Sequence, residues 1–261
     1  MKMRQFLRRL FYLFRDPFGR GVFLSVGGRA IRVPIRFARA PWANYEVVST
    51  TAVAGWLQDR PNAALLDIGS SVGLYSLLAL HAGARTEAYA FDASLIALKA
   101  TRWICRFSDG IGRLHLVFGF VADRQSTGET VDKAARETEL MLDSPSVPRE
   151  PSRTGYVCID GQPHPEIPVR SIDGLFPTAD AARPWLLKCD VEGAEMLVLK
   201  GAAEFIRRTR AQLLLSIHPA TLEGFGFTVA DVRLWLEARG YRCRILAVDH
   251  EEHWWCTPEG G

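Results

Sequence analysis

The sequence predicts an α/β fold, and three observations lead to this prediction. From residue 63 onward, short apolar runs typical of buried strands alternate with longer runs of helical period. Two of the apolar runs are followed at once by a polar turn and a helical run. The last two strand candidates have no helix between them, which predicts an antiparallel C-terminal hairpin. Since strand–helix alternation implies parallel strands with right-handed crossovers, we expect a Rossmann-like, doubly wound, seven-stranded, mainly parallel sheet with helices on both faces.

The main domain is expected to span residues 61–261. Its predicted strands cover 63–68, 86–91, 113–120, 185–189, 211–217, 241–248 and 252–257. Its predicted helices cover 73–82, 94–107, 194–208 and 228–239. Residues 124–166 are rich in Pro, Ser, Thr, Arg and Glu and break the alternation. We therefore expect a long insertion there, with a helical piece near 129–142 and a small strand pair near 155–171.

Residues 1–60 are predicted to form an N-terminal extension that covers one side of the main domain. Its first part, residues 2–15, contains basic and apolar side chains at helical spacing and no acidic residue. This pattern fits an accessory helix packed on the domain, a peripheral contact with an anionic membrane surface, or a mitochondrial-type address. A β-hairpin around Gly27 and Gly28 and a helix over 44–59 are expected to follow.

Composition excludes several classes of protein. Hydrophobic residues make up 48% of the chain and charged residues 23%, and the formal net charge is only +3, so no nucleic-acid partner is indicated. There is no apolar run of membrane-spanning length and no signal-peptide pattern. The five cysteines fit neither a zinc site nor a disulfide framework. We therefore expect a reducing, cytoplasmic compartment, with membrane association only through residues 2–15.

The first candidate site is the turn after the strand over 63–68. A dinucleotide fingerprint would need glycines at positions 69, 71 and 74, but positions 71 and 74 are serine and leucine. The spacing instead fits the D-x-G-x-x-x-G loop of class I S-adenosylmethionine (SAM) methyltransferases. Asp67, Gly69, Ser70 and Gly73 are therefore candidate cofactor residues, since glycines let backbone N–H groups approach a ligand closely. The alternative is a purely structural turn.

The ends of the next two strands supply further candidates. Asp92 ends the second strand, where a carboxylate can accept hydrogen bonds from both ribose hydroxyls. Its alternative role is the N-cap of the following helix. Phe91 could pack on the cofactor or in the core. After the third strand, Asp123 could accept from an adenine amino group and the N–H of Ala122 could donate to a ring nitrogen.

Asp190, Glu192 and Glu195 cluster at the end of the strand over 185–189. Unpaired carboxylates are costly to bury, so this group requires solvent, a cation or hydrogen-bond donors. We expect Asp190 to face the positive charge of SAM and Asp190 and Glu192 to lie beside the reacting groups. Glu195 is predicted to be an ordinary first-turn helix residue that the helix dipole favours.

His218 ends the following strand and should lie on the same edge of the sheet. A neutral imidazole there could take a proton from a substrate hydroxyl, or the histidine could be merely structural. The other five histidines show no metal-ligand spacing, so no metal site is predicted. A divalent cation that bridges Asp190 and Glu192 to a substrate diol is the alternative.

The run Leu187–Glu195, followed by Val198–Gly201, resembles the I-K-x-D-V-E-G-x-E and L-x-G motifs of the FkbM family of SAM-dependent methyltransferases. Ile167–Asp173 resembles the strand and S/T-L-D element that precedes those motifs. The sequence departs from the family pattern at Asp92–Ala93, where the family has Glu-Pro, and at Ser216, where it often has glutamate. The resemblance covers roughly residues 46–257.

This resemblance implies a SAM-dependent methyltransferase, most of whose relatives methylate oxygen on sugars, polyketides or related small metabolites. From their positions at the strand ends, we nominate Asp190, Glu192 and His218 as the catalytic residues around the acceptor, and any of the three could be the base. The expected partner is a small-molecule or glycan acceptor. Two alternatives remain: an NAD-dependent oxidoreductase on a related sheet, or a non-catalytic scaffold that docks through residues 2–15. Methyl transfer to nitrogen or to a protein side chain is also open.

Overall fold

The computed structural model describes residues 20–39, 44–123, 129–144, 158–159, 162–163 and 167–260. The basic segment 2–15 lies outside the described residues, as does much of the insertion predicted over 124–166. The accessory-helix, membrane and address interpretations of residues 2–15 therefore stay predictions. Within the part of the chain that the structure describes, no helix is both long and apolar enough to cross a membrane.

Thirteen strands and nine α-helices make up the described chain. The strands are β1 (Val22–Val26), β2 (Arg29–Val33), β3 (Ala64–Ile68), β4 (Glu87–Asp92), β5 (Leu114–Phe118), β6 (Phe120–Val121), β7 (Cys158–Ile159), β8 (Gln162–Pro163), β9 (Val169–Arg170), β10 (Trp185–Cys189), β11 (Gln212–Ile217), β12 (Tyr241–Val248) and β13 (Glu252–Pro258). The α-helices are α1 (Val47–Gln58), α2 (Leu74–Ala82), α3 (Leu95–Cys105), α4 (Val131–Leu142), α5 (Ile172–Leu175), α6 (Glu195–Gly201), α7 (Ala203–Thr209), α8 (Pro219–Leu222) and α9 (Val229–Glu237).

The central sheet has seven strands in the order β12-β13-β11-β10-β3-β4-β5. The five strands from β11 to β5 are parallel, whereas β13 pairs antiparallel with both β11 and β12. This arrangement confirms the predicted α/β class and the C-terminal hairpin. The strand order reverses between β10 and β3, and the crevice at the carboxyl ends of such strands is where α/β sheets bind ligands.

Alternation along the strands separates two apolar cores. Leu66 and Leu187 point into a core shared with α6, α7 and α9, and Leu65 and Leu186 point into a second core on the other face. The second core also contains residues of the β1–β2 hairpin and of α1. The β1–β2 hairpin and α1 therefore pack on one face of the sheet. Burial on both faces makes the central strands almost wholly apolar.

Two predicted elements are divided in the structure. The strand expected over 113–120 breaks at Gly119, after which β6 leaves the large sheet and pairs in parallel with β9. The helix expected over 194–208 is interrupted at Ala202 and becomes α6 and α7. In the insertion, α4 matches the predicted helical piece and β7–β8 forms an antiparallel pair. The single strand pair predicted near 155–171 is therefore two separate pairs in the structure, β7 with β8 and β6 with β9.

The expectation that no cysteines form a disulfide was wrong. Cys243 and Cys256 stand opposite each other in the β12–β13 hairpin and are joined by a disulfide. Their proximity depends on the register of the hairpin, which sequence spacing did not reveal. Because of this bond, the spacing of the cysteines no longer supports the expectation of a reducing compartment. Cys105 and Cys189, in contrast, are free and buried in the two cores.

Candidate active site

The loop after β3 brings three neighbouring strands together at their carboxyl ends. Gly69 has φ +74°, and an added Cβ there would lie 1.7 Å from the carbonyl oxygen of Asp190, after β10. The N–H groups of Gly69 and Ser70 both donate to the carbonyl of Phe91 in β4, each at 3.0 Å. Gly69 is thus required both for its left-handed conformation and for the close approach of β10.

The same loop ends at the start of α2. Gly73, also at φ +74°, packs against the side chain of Thr101, which an added Cβ would approach to 2.4 Å. The Thr101 hydroxyl in turn donates to the carbonyl of Ser71. Ser70 is buried, and its hydroxyl has no hydrogen-bond partner among the described residues. A buried hydroxyl without a partner is costly and marks a place where a ligand could bind.

Asp92 closes the loop from the β4 side. One carboxylate oxygen accepts from the N–H of Ser71 and the other from the N–H of Ser94, each at 2.8 Å. The N-cap of α3 is Ser94, whose hydroxyl accepts from Ala97, so Asp92 is not the helix cap. Burial raises the pKa of Asp92 to about 6, although the two backbone N–H groups oppose this rise. Each carboxylate oxygen retains a lone pair for a further donor.

Two of the predicted cofactor residues, Asp67 and Phe91, are buried beside the loop and have structural roles. Asp67 is 1% exposed, and one of its oxygens accepts from both the N–H and the hydroxyl of Ser76 in α2. Its role is therefore to fix the start of that helix. Phe91 is also 1% exposed, and its ring packs in the apolar core. The structure thus favours the core interpretation of Phe91, whose contribution to the loop is its carbonyl oxygen.

The residues predicted to contact adenine are placed differently. The N–H of Ala122 donates to the carbonyl of Arg170 at 2.8 Å, because β6 pairs with β9. It is therefore not available to a ring nitrogen, and that prediction was wrong. Asp123 is exposed, and its backbone lies against Gly201 at the end of α6. The described contacts do not join Asp123 to Asp92, so its contact with adenine stays a prediction.

Lys188 and Asp190 form a buried ion pair between β10 and the loop. The ammonium of Lys188 donates to the carbonyl of Gly69 and to one carboxylate oxygen of Asp190, each at 3.2 Å. It also lies 3.9 Å from the second carboxylate oxygen of Asp67. Burial raises the pKa of Asp190, but the charge of Lys188 outweighs it and the pKa is lowered. Sequence analysis gave Lys188 no role.

Glu192 occupies a turn between β10 and α6. Its φ of +54° is rare for a non-glycine residue and costs energy, which is a feature of functional turns. The next residue, Gly193, packs so closely against Thr221 that a Cβ would clash with it. The side chain of Glu192 is 82% exposed and lies 3.6 Å from Nε2 of His218. Glu192 therefore stands at the solvent side of the site.

His218, between β11 and α8, is held by Glu195. Its Nδ1 lies 2.7 Å from a carboxylate oxygen of Glu195, which also accepts from the N–H of Gly193. Glu195 lies in the first turn of α6, as predicted, but its side chain is fully buried and also holds His218, a role that the sequence analysis did not predict. Burial lowers the pKa of His218, but Glu195, Asp190 and Glu192 outweigh this effect and raise the pKa to about 9. Without a bound cation, these carboxylates therefore favour the protonated ring over the neutral imidazole we expected.

The turn of the C-terminal hairpin completes this side of the site. Glu251 extends towards His218, with 3.9 Å between Oε2 and Nε2, and its side chain is 5% exposed. His253 is fully buried, with Ser216 on Nδ1 and Asp249 on Nε2. Sequence analysis did not find Glu251, His253 or Asp249, since their positions depend on how β13 pairs with β11. Ser216, which stands where the family often has glutamate, fixes His253.

Comparison with known proteins finds one family model that matches part of the chain. Residues 124–243 match the model of the methyltransferase FkbM domain. This part of the chain is therefore similar to an FkbM methyltransferase domain. No curated protein sequence matches the chain. The FkbM assignment therefore depends on the match over 124–243, together with the motif over residues 187–195 that the match includes.

The chain also aligns with solved methyltransferase structures, of which the first described here shows the same fold. A methyltransferase FkbM from Methylobacillus flagellatus KT aligns with a TM-score of 0.50 at 16% identity, over 76% of this chain and 44% of that one. A precorrin-6y C5,15-methyltransferase from Geobacter metallireducens GS-15 gives 0.45 at 12% identity, over 84% and 90%. The O-methyltransferase TomG from Streptomyces achromogenes, solved with SAM, gives 0.44 at 10% identity, over 86% of each chain. The chain thus spans less than half the length of the Methylobacillus protein.

SAM is the cofactor that goes with the FkbM domain, and the residues present fit it. The lone pairs on the two oxygens of Asp92 suit a pair of ribose hydroxyls. The hydroxyl of Ser70 is buried and free to bond a ligand. One carboxylate oxygen of Asp190 pairs with Lys188. The other lies 3.6 Å from Nε2 of His218, beyond hydrogen-bond distance, so it retains a lone pair that a cationic ligand can approach.

Proposed function

We propose that this chain is a SAM-dependent methyltransferase that methylates a hydroxyl group of a sugar or another small metabolite. The observation that carries the proposal is the junction of two groups of residues at one edge of the sheet. The Gly69 loop with Asp92 forms one group, and Asp190 with His218 forms the other. Gly69 joins the two groups, since it contacts the backbone of Asp190 directly.

On this proposal the Gly69 loop holds the cofactor. Asp92 accepts from the ribose hydroxyls, Ser70 supplies a hydroxyl, and Asp190 faces the positive charge. Lys188 keeps Asp190 ionised and anchors the carbonyl of Gly69, so the two groups keep a fixed separation. SAM, when bound, supplies a methyl group on a positively charged sulfur, which becomes a neutral thioether once the acceptor oxygen has taken that methyl group.

The acceptor hydroxyl is placed in the gap bounded by Asp190, Glu192 and His218. Oδ1 of Asp190 and Oε2 of Glu192 each lie 3.6 Å from Nε2 of His218. This separation is too long for a direct hydrogen bond but leaves polar atoms on several sides of a small ligand group. Holding a hydroxyl in line with a methyl donor can supply roughly 7–11 kcal/mol of the acceleration.

Glu192 is the residue we propose as the general base. Asp190 is already engaged by Lys188, and Nδ1 of His218 is engaged by Glu195. Glu192 instead has an exposed carboxylate, held at the edge of the gap by a strained backbone turn. The hydroxyl proton passes to Glu192, from where it can leave to solvent. A positioned base of this kind contributes roughly 10²–10⁴-fold to the rate.

Two measurements test this proposal. Calorimetric titration of the full chain should detect binding of S-adenosylhomocysteine but not of NAD. Incubation with methyl-labelled SAM and small-molecule extracts, followed by identification of the labelled product, should yield a methyl ether. Binding of NAD in place of S-adenosylhomocysteine would favour an oxidoreductase, and cofactor binding with no labelled product in any extract would favour a scaffold. A product labelled on nitrogen would contradict the hydroxyl acceptor.

A further inference from the structure

We propose that Asp190, His218 and Glu251 bind a divalent transition-metal cation at the acceptor side of the site. One atom from each residue contributes: Oδ1 of Asp190, Nε2 of His218 and a carboxylate oxygen of Glu251. These atoms all lie within 4.8 Å of one another. The proposal extends the proposed function, on which its catalytic role depends, but metal binding itself can be measured without any cofactor.

The spacing around His218 suits an ion better than direct contacts. Its Nε2 lies 3.6 Å from Asp190 and 3.9 Å from Glu251, beyond hydrogen-bond distance. Two ligand atoms that are each about 2.1 Å from one ion lie roughly 3.0–3.4 Å apart at tetrahedral or octahedral angles. The two distances from Nε2 are only slightly longer, and the oxygens of Asp190 and Glu251 lie within 4.8 Å of each other, so rotations of the side chains would bring all three atoms onto one cation.

The other nitrogen of His218 is already fixed. Nδ1 lies 2.7 Å from Glu195, whose side chain is fully buried and is itself held by the N–H of Gly193. Histidines that bind metals characteristically have their second nitrogen held by a carboxylate, which fixes the orientation of the ring. Glu195 therefore directs Nε2 of His218 towards Asp190 and Glu251. This pairing is an observation independent of the clustering of carboxylates.

Two other groups near Glu251 are less suited to a cation. His253 is fully buried, and its Nε2 already pairs with Asp249 at 3.0 Å. The side chain of His250 is 54% exposed, and its Nε2 already lies 2.9 Å from Glu251. In contrast, none of the carboxylates facing Nε2 of His218 lies within 3.5 Å of it.

The ligand set indicates the chemical class of the ion. One imidazole nitrogen and two carboxylate oxygens form a mixed donor set, which suits Mn²⁺ or Zn²⁺ better than Ca²⁺ or Mg²⁺, which prefer all-oxygen sites. A cation at this point would bind the acceptor oxygen and make its hydroxyl more acidic. Glu192, outside the ligand set, would then remove the proton from the bound hydroxyl.

The test is a titration of the full chain with MnCl₂ alone, followed by electron paramagnetic resonance and calorimetry. We expect one Mn²⁺ per chain. His218→Ala should lower the affinity at least tenfold, and Glu195→Gln should lower it by roughly 10–100-fold, as is common for residues that orient a metal ligand. His81→Ala, which removes a histidine of α2 whose Nδ1 lies 3.0 Å from the carbonyl oxygen of Leu77, is the matched control. It should leave the affinity unchanged, with folding of every variant verified by circular dichroism.

Three outcomes would overturn the metal proposal: no Mn²⁺ bound, unchanged affinity in His218→Ala, or an equal loss of affinity in His81→Ala. A parallel titration with S-adenosylhomocysteine, in metal-free buffer, separates the two proposals. Mn²⁺ binding without S-adenosylhomocysteine binding would count against the methyltransferase function alone. The reverse result would count against the metal site alone.

Discussion

The two sides of the candidate site are built from different kinds of interaction. The cofactor side consists mostly of backbone: Gly69 and Gly73 in left-handed conformations, N–H groups bonded to Phe91, and one carboxylate, Asp92. The acceptor side consists of ionisable side chains. His218 faces four carboxylates, which come from β10, its following turn, α6 and the C-terminal hairpin.

Because of this difference, the two sides of the site should respond to different kinds of substitution. A backbone site tolerates no added atom at a glycine but depends little on the charge of its neighbours. A side-chain site depends on which of its groups are paired, since a buried charge left without its partner is costly. The following predictions test this comparison, in order of decreasing expected effect.

Gly69→Ala should have the largest effect. The new methyl group would meet the carbonyl of Asp190, and the residue would remain at φ +74°. We expect loss of S-adenosylhomocysteine binding and destabilisation by about 3–4 kcal/mol, from overpacking and left-handed strain together. Calorimetry and thermal denaturation would measure the two effects.

Gly28→Ala is the matched control, because Gly28 has the same φ of +74° but nothing within 4 Å of an added Cβ. It should cost about 1–2 kcal/mol and leave binding unchanged. If the two variants had the same stability and the same affinity for S-adenosylhomocysteine, the close contact between the loop and β10 would not matter for cofactor binding.

Glu192→Gln should reduce turnover without affecting the cofactor side. As the proposed base, Glu192 contributes roughly 10²–10⁴-fold, and its loss should lower kcat to that extent. The affinity for S-adenosylhomocysteine should stay within a factor of two, roughly, because Glu192 is exposed and contacts His218 rather than the loop. Glu223→Gln, on the turn after α8, is a control with the same chemical change. An unaltered kcat in Glu192→Gln would show that Glu192 is not the general base.

Asp92→Asn should weaken cofactor binding. The amide replaces one acceptor by a donor, and loss of a hydrogen bond to a charged group costs about 1.5–3 kcal/mol, or roughly 10–100-fold in Kd. Asp173→Asn is the control, since Asp173 likewise accepts from two backbone N–H groups, of Glu204 and Phe205, away from the site. It should lower stability but not cofactor affinity. Equal Kd values for wild type and Asp92→Asn would refute the placement of the ribose.

The pH dependence of cofactor binding should be the smallest effect. Because burial raises the pKa of Asp92 to about 6, this carboxylate is ionised above that pH and protonated below it. Protonation converts one acceptor oxygen into a donor. Affinity for S-adenosylhomocysteine should therefore be constant above about pH 7 and fall below pH 6, by at most about tenfold per pH unit. The same titration of Asp92→Asn should lack this step. A step of equal size in that variant would assign the effect to another group.

The sequence predicted the fold and the turn around Gly69 because both depend on local pattern. Strand–helix alternation specified the sheet, and glycine spacing specified the loop around Gly69. The acceptor side depends on tertiary pairing instead. Glu195, His218 and Glu251 meet only because β11 lies between β10 and β13. The pairing of β6 with β9, which engages the N–H of Ala122, was likewise outside the reach of local pattern.

A crystal structure of the chain with S-adenosylhomocysteine would test the central claim most directly. We expect the ribose hydroxyls on Asp92 and the sulfur at the junction between the Gly69 loop and the gap bounded by Asp190, Glu192 and His218. A ligand bound away from this edge of the sheet, or a ribose that does not contact Asp92, would contradict the account.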